Sequence, residues 1–345
     1  MNALMGERWT RWLGIFVLVN VIGACAPMVR EPGPSIQAPT MTDDALTMAD
    51  GASLPLHIWQ PGSENIRAAV IALHGFNDYG RFFHELATYL ANDGVVSYAY
   101  DQRGFGGAPN TGYWAGSDAY VADLKASVLL VKKHHPGIPI FLFGESMGGA
   151  VLMAAATGAD EMPLSVDGLI LAAPAVWARQ TMPFYQRWAL WLASHTVPWL
   201  QVSGRGLKIK PSDNIEMLRA LGRDPLIIKE TRIDAIWGLA SLMDRAMAGA
   251  AQFDDRSLIL YGGLDEIIKK PATQEMLRRL PKRVGSKYRI AFYEGGYHML
   301  IRDLKAEAYW RDIAAWMHDP TSPLPSGAER DVDEILEKAA NESGN

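Results

Sequence analysis

Short apolar runs alternate with amphipathic segments along most of the chain from about residue 47. Residues 68–73 (AAVIAL) are apolar throughout, which is typical of a strand buried on both faces of a sheet. Residues 54–60 alternate between apolar and polar and predict an antiparallel edge strand, whereas residues 81–92 have helical spacing, with Gly94 just beyond them. This alternation of strands and helices predicts an α/β fold, with a mostly parallel central sheet and helices on both faces. The remaining predicted strands are residues 95–100, 138–143, 168–173, 257–261 and 288–293, and the remaining predicted helices are residues 120–134 and 148–157.

The alternation stops between residues 174 and 253, where no buried-strand run occurs. This stretch contains five of the eleven tryptophans. A long helical and aromatic insertion after a strand predicts a cap over the sheet, at about residues 175–253. Its aromatic side chains either form the core of the insertion or line an apolar substrate pocket beneath it, and we favour the pocket. The candidate lining residues are Trp177, Phe184, Trp188 and Trp237.

The N-terminus has a different composition. Residues 12–24 are apolar except for Asn20, and thirteen residues are too few to cross a bilayer comfortably but match the apolar core of a signal peptide. The segment ends in IGAC, which resembles a bacterial lipobox. We therefore expect a signal peptide at residues 1–24 and lipidation of Cys25. An ordinary signal peptide or a short uncleaved anchor is the alternative.

The residues that follow the leader are expected to connect a membrane anchor to the body of the protein. Residues 26–40 are rich in Pro, Ser and Gly, and we predict a flexible tether at residues 25–45. The predicted location is the bacterial cell envelope, and Ala26 in place of Asp favours the outer membrane or the periplasmic face. Cys25 is the only cysteine in the sequence, so an internal disulfide is excluded.

Length and charge narrow the classes of function. The chain has 345 residues, of which 49% are hydrophobic and 21% charged, as is normal for a globular protein with a sizeable core. The net charge is −5 and there is no long basic run, so nucleic acid is not expected as a partner. The main domain is predicted at residues 46–318. A tail at residues 319–345 follows it, with an acidic helical pattern at 329–340 and no assigned function.

One serine lies between two glycines at the point where a predicted buried strand becomes a helix, in the sequence GESMGG at residues 144–149. G-x-S-x-G between a strand and a helix is the pattern of a nucleophile elbow, a tight turn that holds the serine in a strained conformation. Gly144 and Gly148 supply the room that such a turn needs. Ser146 is therefore the candidate nucleophile. A glycine-rich turn packed for its own sake is the alternative.

A serine hydroxyl is a weak nucleophile without a base, and in sheets of this kind the acid and the histidine follow the serine along the chain. His298 lies in a glycine-rich loop just beyond the last predicted strand, whereas His318 lies beside a closing proline. Asp265 follows the preceding strand, 33 residues before His298, and is placed to fix the histidine tautomer. Glu266 is the neighbouring alternative to Asp265.

Acyl transfer also needs two N–H donors for the developing oxyanion. The backbone N–H of Met147, the residue after the nucleophile, is one candidate. The loop after the first buried strand is expected to supply the other, from Phe76. His74 lies before the serine in the chain and is expected to order this loop rather than to act as a base. This chemistry requires no metal and no organic cofactor.

Together these residues resemble the monoacylglycerol lipase and lysophospholipase branch of the α/β-hydrolases, which is also grouped with serine aminopeptidases. The resemblance implies the α/β-hydrolase fold with a helical cap, a Ser146–His298–Asp265 triad and activity on single-chain lipid esters. It also implies a structural role for Asp101. Family members often have a Ser soon after the glycine pair of the R-G-x-G segment, whereas Gly107 follows here. The matching segments span residues 50–318 and are HGF at 74–76, GRF at 80–82, DQRGFG at 101–106, GESMGG at 144–149, GGLD at 262–265 and GGYH at 295–298.

The predicted function is a serine ester hydrolase that acts on lipid-like esters such as monoacylglycerol or lysophospholipid. One alternative is an enzyme that hydrolyses a different bond, such as a peptidase of the proline aminopeptidase type. Such an enzyme needs acidic residues in the cap to hold the substrate amine. The other alternative is an anchored binding protein that has lost catalysis. The acidic candidates in the cap are Glu216, Asp224, Glu230 and Asp234.

Overall fold

The computed structural model describes residues 26–63, 65–158, 164–282 and 287–343, so the predicted signal peptide and Cys25 lie outside the described residues. The strands of the described residues are β1 (Thr40–Met41), β2 (Ala45–Thr47), β3 (Ser53–Trp59), β4 (Ala68–Leu73), β5 (Val95–Tyr100), β6 (Ile140–Glu145), β7 (Gly168–Ala172), β8 (Gln201–Val202), β9 (Thr231–Arg232), β10 (Ser257–Gly262) and β11 (Tyr288–Tyr293). The helices are α1 (His84–Ala91), α2 (Ser117–His134), α3 (Met147–Ala156), α4 (Phe184–Thr196), α5 (Ile215–Arg223), α6 (Ile233–Gly249), α7 (Lys270–Arg279), α8 (Ala306–His318) and α9 (Val332–Ser343).

The main sheet has the strand order β1-β2-β3-β5-β4-β6-β7-β10-β11. The six strands from β5 to β11 in this order pair in parallel, and β1, β2 and β3 form an antiparallel edge. The predicted edge strand is therefore β3. Strands β4, β5, β6, β7 and β10 are buried along their whole length, because helices cover both faces of the sheet. The prediction of a mostly parallel α/β fold is confirmed.

Alternate side chains of the central strands enter two hydrophobic clusters, one on each face of the sheet. In β4, Ile71 belongs to the cluster that includes residues of α2, α3, α6 and α7. Its neighbour Val70 belongs to the cluster that includes residues of α1 and α8. The carboxyl ends of the strands are thereby held at one edge, where the loops that carry the candidate site residues begin.

The region predicted as a cap contains α4, α5 and α6 together with the small antiparallel pair β8–β9. Helix α6 belongs to the core rather than to an outer layer, because ten of its residues are buried. Gly238 in this helix lies flat against Trp114, and a Cβ there would come within 2.3 Å of the indole ring. Helix α4 differs, since Ser194 is its one buried residue.

The predicted flexible tether at residues 25–45 is corrected in the part that the structure describes. Val29 forms a parallel β-bridge with Trp114, and the N–H of Ile36 donates to the carbonyl of Ala49 at 2.8 Å. Strands β1 and β2 then extend the main sheet. Four prolines, at positions 27, 32, 34 and 39, restrict this segment. A proline-rich segment loses less conformational entropy on docking than a flexible linker does. A docked segment and a flexible tether can therefore share this composition, and composition alone does not distinguish them.

The C-terminal tail covers the edge strand β11. The N–H of Phe292 donates to the carbonyl of Ala328 at 2.8 Å, so the chain pairs with an edge that would otherwise be open. The predicted acidic helix is observed as α9, with Val332 buried and Ile335 and Leu336 packed on the main core. Within the described residues, no helix combines the length and hydrophobicity that crossing a bilayer would require.

Candidate active site

Ser146 occupies the turn between β6 and α3. Its φ of 52° and ψ of −111° are strained for a residue with a side chain, at a cost of about 1–3 kcal/mol. A Cβ on Gly144 would lie 2.5 Å from the backbone of Gly148, and a Cβ on Gly148 would lie 2.2 Å from the carbonyl oxygen of Leu73. Only glycine fits these two positions, and the turn has the geometry of a nucleophile elbow.

His298 and Asp265 are paired in the loops after β11 and β10. Nδ1 of His298 lies 2.8 Å from Oδ2 of Asp265, and both side chains are buried. The other oxygen, Oδ1, accepts the N–H groups of Ile267 at 2.8 Å and Ile268 at 3.0 Å. The carboxylate is therefore oriented by its own loop, and it favours the tautomer with the proton on Nδ1. Nε2 of His298 is then the nitrogen that can accept a proton.

The pKa of His298 is set by opposing effects. Burial lowers it, but the charge and hydrogen bond of Asp265 and the charge of Glu145 outweigh burial, so the pKa is raised above its ordinary value. The positive charge of Arg302 acts in the lowering direction. A more basic imidazole is better suited to take the proton of Ser146. The hydroxyl of Ser146 has no hydrogen-bond partner among the described residues, and serine–histidine bonds are often loose before substrate binds.

The alternative acid and base lie in other contacts. A carboxylate oxygen of Glu266 accepts the N–H of Lys210 at 2.7 Å. Nδ1 of His318 lies 3.2 Å from the guanidinium of Arg67, at the end of α8. Neither is in contact with the elbow, so the geometry favours Asp265 and His298.

The loop after β4 lies against the elbow. A Cβ on Gly75 would be 3.4 Å from Cβ of Ser146. The ring of the next residue, Phe76, packs edge-to-face on Phe105 with centroids 5.5 Å apart, which fixes the loop. Within the described residues no backbone carbonyl accepts the N–H of Phe76 or of Met147. Both groups are therefore available to donate to an oxyanion.

His74 orders the same loop. Its Nδ1–H donates to the carbonyl of Gly75 at 2.7 Å, and its Nε2 accepts the N–H of Gln102 at 3.0 Å. This pair of bonds requires the neutral ring, and burial lowers the pKa of His74. Both ring nitrogens are occupied, so His74 is a structural residue and not a base.

Asp101 joins two neighbouring loops. Its Oδ1 accepts the N–H of Gly80 at 2.8 Å, and its Oδ2 accepts the N–H of Gly107 at 2.8 Å. Gly107 stands at the point where the sequence departs from the family pattern, and its backbone still makes this bond. Asp101 thus has a structural role, and Arg103 beside it pairs with Asp50 and Asp123.

A buried cation that the sequence analysis missed connects three loops of the site. Arg302 follows His298 by four residues, and its guanidinium lies 2.8 Å from Asp78 and 2.6 Å from Glu145. Asp78 belongs to the loop after β4, and Glu145 immediately precedes Ser146. Burial raises the pKa of Glu145, and Arg302 acts against that rise. The one sequence signal was the position of Glu145 inside the G-x-S-x-G pattern, where a buried charge needs a partner.

A cavity of about 460 Å³ lies between the loop after β4, helix α5 and the first turn of α8. Arg302 and Asp78 form part of its wall, but Ser146 and His298 do not line it, so the cavity lies apart from the candidate nucleophile. Its lining is mixed, with polar groups opposite apolar ones. Other lining residues are Tyr79, Phe82, Met217, Leu221, Asp224 and Trp310.

The four aromatic residues predicted to line a pocket under the cap fall into two groups. Phe184 and Trp188 are 73% and 66% exposed on the outer surface of α4, so the structure corrects their predicted place in a pocket. Trp177 is half-buried against the core, and Trp237 stacks under the guanidinium of Arg179 at 3.9 Å. Helical spacing gave α4 an apolar face but not the direction in which that face points.

A family model described as serine aminopeptidase, S33, matches residues 64–305. The chain belongs to this family. Proteins similar to it include the monoglyceride lipase of Rattus norvegicus, 27% identical over 79% of this chain and 89% of the rat protein. The monoacylglycerol lipase of Mycolicibacterium smegmatis is 23% identical over 81% of this chain and 97% of its own length.

Solved structures show the same fold. A soluble variant of monoglyceride lipase from Saccharomyces cerevisiae, in complex with a substrate analog, has a TM-score of 0.67 and 21% identity, covering 85% of this chain and 100% of the yeast chain. The monoacylglycerol lipase of Paleococcus ferrophilus has a TM-score of 0.63 and 22% identity, covering 76% and 98%. The expected α/β-hydrolase fold is confirmed.

Proposed function

We propose that this chain is a serine hydrolase that cleaves the carboxylic ester of single-chain lipids, monoacylglycerol or lysophospholipid. The observation that carries the proposal is the pairing of His298 with Asp265 at 2.8 Å in loops that adjoin a strained elbow serine, Ser146. Each part of acyl transfer has a residue in place, and no metal or cofactor takes part.

Acylation begins when Oγ of Ser146 attacks the ester carbonyl while Nε2 of His298 accepts the hydroxyl proton of Ser146. The N–H groups of Phe76 and Met147 donate to the oxyanion that forms. Asp265 stabilises the imidazolium through Nδ1. The imidazolium then protonates the leaving alcohol, the carbon–oxygen bond breaks, and an acyl ester remains on the serine.

Deacylation repeats these steps with water as the nucleophile. His298 removes a proton from water, the hydroxide attacks the acyl carbonyl, and the same two N–H groups hold the second oxyanion. The imidazolium returns its proton to the serine oxygen as the fatty acid leaves. The raised pKa of His298 favours the steps in which its imidazole accepts a proton, from Ser146 and from water.

Two observations support a lipid substrate. Relatives of this chain carry the names monoglyceride lipase and monoacylglycerol lipase. Helix α4 and the segment after it expose large apolar side chains next to the site, as an enzyme that takes substrate from a bilayer would need.

The acidic residues that a proline aminopeptidase would use are paired with other groups or exposed. Asp234 is buried and paired with Arg232 at 2.6 Å, and Asp224 accepts the hydroxyl of Tyr79 at 2.8 Å. Glu216 is 83% exposed beside Arg219, and Glu230 is also exposed. These four carboxylates do not form one free cluster for a substrate amine, which favours the ester over the peptide bond.

We also propose that Cys25 is lipidated after removal of residues 1–24, and that the enzyme acts in the bacterial cell envelope, at the outer membrane or periplasmic face. Support comes from the apolar leader that ends in IGAC and from Ala26 after the cysteine. The mass of the N-terminal peptide from the native protein tests this. A diacylated N-terminal Cys25 would support it, and an unmodified cysteine would contradict it.

A substrate panel tests the proposed reaction. We would compare long-chain monoacylglycerol, lysophosphatidylcholine, a short p-nitrophenyl ester and proline p-nitroanilide at one pH, with Ser146→Ala as the matched control. Preferred turnover of a long-chain ester, lost in Ser146→Ala, is the expected result. Turnover confined to the anilide would indicate a peptidase, and none at all would indicate a binding protein on a hydrolase scaffold.

A further inference from the structure

The segment that follows Cys25 is docked on the body of the protein. Residues 28–37 are here called the strap. Near its start, Val29 forms a parallel bridge with Trp114. The N–H of Arg30 donates to the carbonyl of Trp114 at 2.7 Å. At the other end, the N–H of Ile36 donates to the carbonyl of Ala49. The strap is therefore held at both ends by backbone hydrogen bonds.

One aromatic ring joins the strap to the insertion. The guanidinium of Arg30 lies 5.0 Å from the centre of the Tyr113 ring, and the guanidinium of Arg232 lies 4.4 Å from the same ring. Two cations on one ring are each stabilised by its π electrons. Tyr113 thus links the start of the strap to the first residue before helix α6.

Arg232 continues the connection to an exposed part of the insertion. It pairs with Gln201 in the β8–β9 sheet, and the N–H of Ile233 donates to the carbonyl of Leu200 at 2.9 Å. Leu200 and the preceding Trp199 are 50% and 57% exposed. An uninterrupted series of contacts therefore leads from the strap to exposed apolar side chains.

These side chains belong to a surface that is both apolar and cationic. Residues 183–212, here called the cap segment, contain no Asp or Glu but four Lys and Arg residues in a chain whose net charge is −5. Exposed cations of the segment include Arg187, Arg205 and Lys208. Exposed aromatic and aliphatic side chains beside basic ones are typical of a surface that binds an anionic bilayer. The exposed large side chains include Phe184, Tyr185, Trp188, Trp199 and Leu207.

We propose that the docked strap orients the enzyme on the membrane, by fixing the lipidated N-terminus beside the cap segment so that this segment faces an anionic bilayer surface. The proposal rests on the membrane attachment proposed above. Four residue steps separate Cys25 from Val29, and a chain of that length reaches about 14 Å at most. Residues 25–29, here called the leash, are therefore too short to let the opposite end of the domain face the bilayer.

The experiment uses the mature chain, residues 25–345, coupled through its one cysteine to a maleimide phospholipid in vesicles of phosphatidylglycerol and phosphatidylethanolamine. Brominated acyl chains in these vesicles quench tryptophans that enter the bilayer. Trp188, Trp191 and Trp199 are the large exposed tryptophans of the cap segment. Chemical coupling makes the test independent of native lipidation, and quenching makes it independent of catalysis.

Two changes release the orientation in different ways. Ten Gly and Ser residues inserted between Pro27 and Met28 lengthen the leash from four residues to fourteen, which lowers the effective concentration of the cap segment at the bilayer about sixfold. Tyr113→Leu removes the ring between the two arginines without changing the leash. The matched controls are Tyr113→Phe, which keeps the ring, and the same insertion after Gly137 in an exposed turn.

We expect strong bromolipid quenching in the unaltered chain and in both controls. The leash insertion should lower the ratio of bilayer-bound to unbound cap segment about sixfold, and Tyr113→Leu should lower this ratio as well. Equal quenching in all variants would show that the cap segment binds without the strap and would overturn the proposal. Absence of quenching in the unaltered chain would overturn it as well. A soluble ester assay on the same samples reports separately on the proposed catalytic function.

Discussion

Arg302 donates a hydrogen bond of 2.6 Å to Glu145, the residue immediately before the nucleophile. The same guanidinium lies 2.8 Å from Asp78 in the loop after β4, which carries the proposed donor Phe76 and is here called the oxyanion loop. Because Arg302 itself follows His298 by four residues, one side chain connects the segments that carry His298, Ser146 and Phe76. A buried pair of this kind is costly to break and serves geometry more than stability.

Replacing Arg302 by Met should damage both stability and catalysis. Two buried carboxylates lose their partner, which lowers the free energy of unfolding by about 3–5 kcal/mol. A displacement of the oxyanion loop by about 1 Å lowers kcat/KM roughly 100-fold. Urea unfolding and steady-state kinetics on a soluble ester measure the two effects. Arg302→Lys keeps the positive charge and should retain more stability and a higher kcat/KM than Arg302→Met. Equal losses in the two variants would show that the charge of Arg302 is not the cause.

Glu145→Gln should shift the pH profile. His298 acts as a base when neutral, so activity rises as the pH increases through its pKa. The charge of Glu145 raises that pKa, and its removal lowers it. The acid limb of the kcat/KM profile should therefore move to lower pH in Glu145→Gln. An acid limb that stays in place or moves to higher pH in Glu145→Gln would contradict this electrostatic account.

Asp265→Asn should lower kcat by roughly 10⁴-fold, because an amide no longer holds the Nδ1–H tautomer of His298. Glu266→Gln is the matched control, since Glu266 accepts an N–H from Lys210 instead. Steady-state rates on one ester distinguish the two residues. A larger loss of kcat in Glu266→Gln than in Asp265→Asn would show that Glu266, and not Asp265, is the acid.

Removal of the tail after Gly327 should destabilise the domain. Val332 is buried, and Ile335 and Leu336 pack on the core, so their apolar surface would return to water at about 25 cal/mol per Å². The chain would also expose the edge of β11. Thermal unfolding should show a lower Tm together with more aggregation. An unchanged Tm would mean that the tail packs without contributing to stability.

Features that depend on residues close together in the chain could be predicted from the sequence. Buried strands are continuous apolar runs, and the elbow around Ser146 is marked by glycines whose Cβ atoms would collide with backbone. His298 and Asp265 follow strands in loops rich in glycine. Each of these features leaves a trace within a few residues of itself.

Features that depend on contacts between distant segments were not predictable. Arg302 meets Glu145 across 157 residues, and no local pattern records that pairing. The strap has the composition of a linker, and only its docking on Trp114 shows that it is ordered. Phe184 and Trp188 lie on an apolar helix face, but spacing does not tell whether that face turns to a pocket or to the outside.

The most direct test of the account is the mass of the enzyme during turnover. The purified mature chain would be mixed with a long-chain monoacylglycerol, quenched in acid within one turnover and digested for mass spectrometry. The account predicts one fatty acyl group on the peptide that contains Ser146, and none in Ser146→Ala. Acylation of another residue, or turnover without any acyl-enzyme in a single-turnover time course, would contradict it.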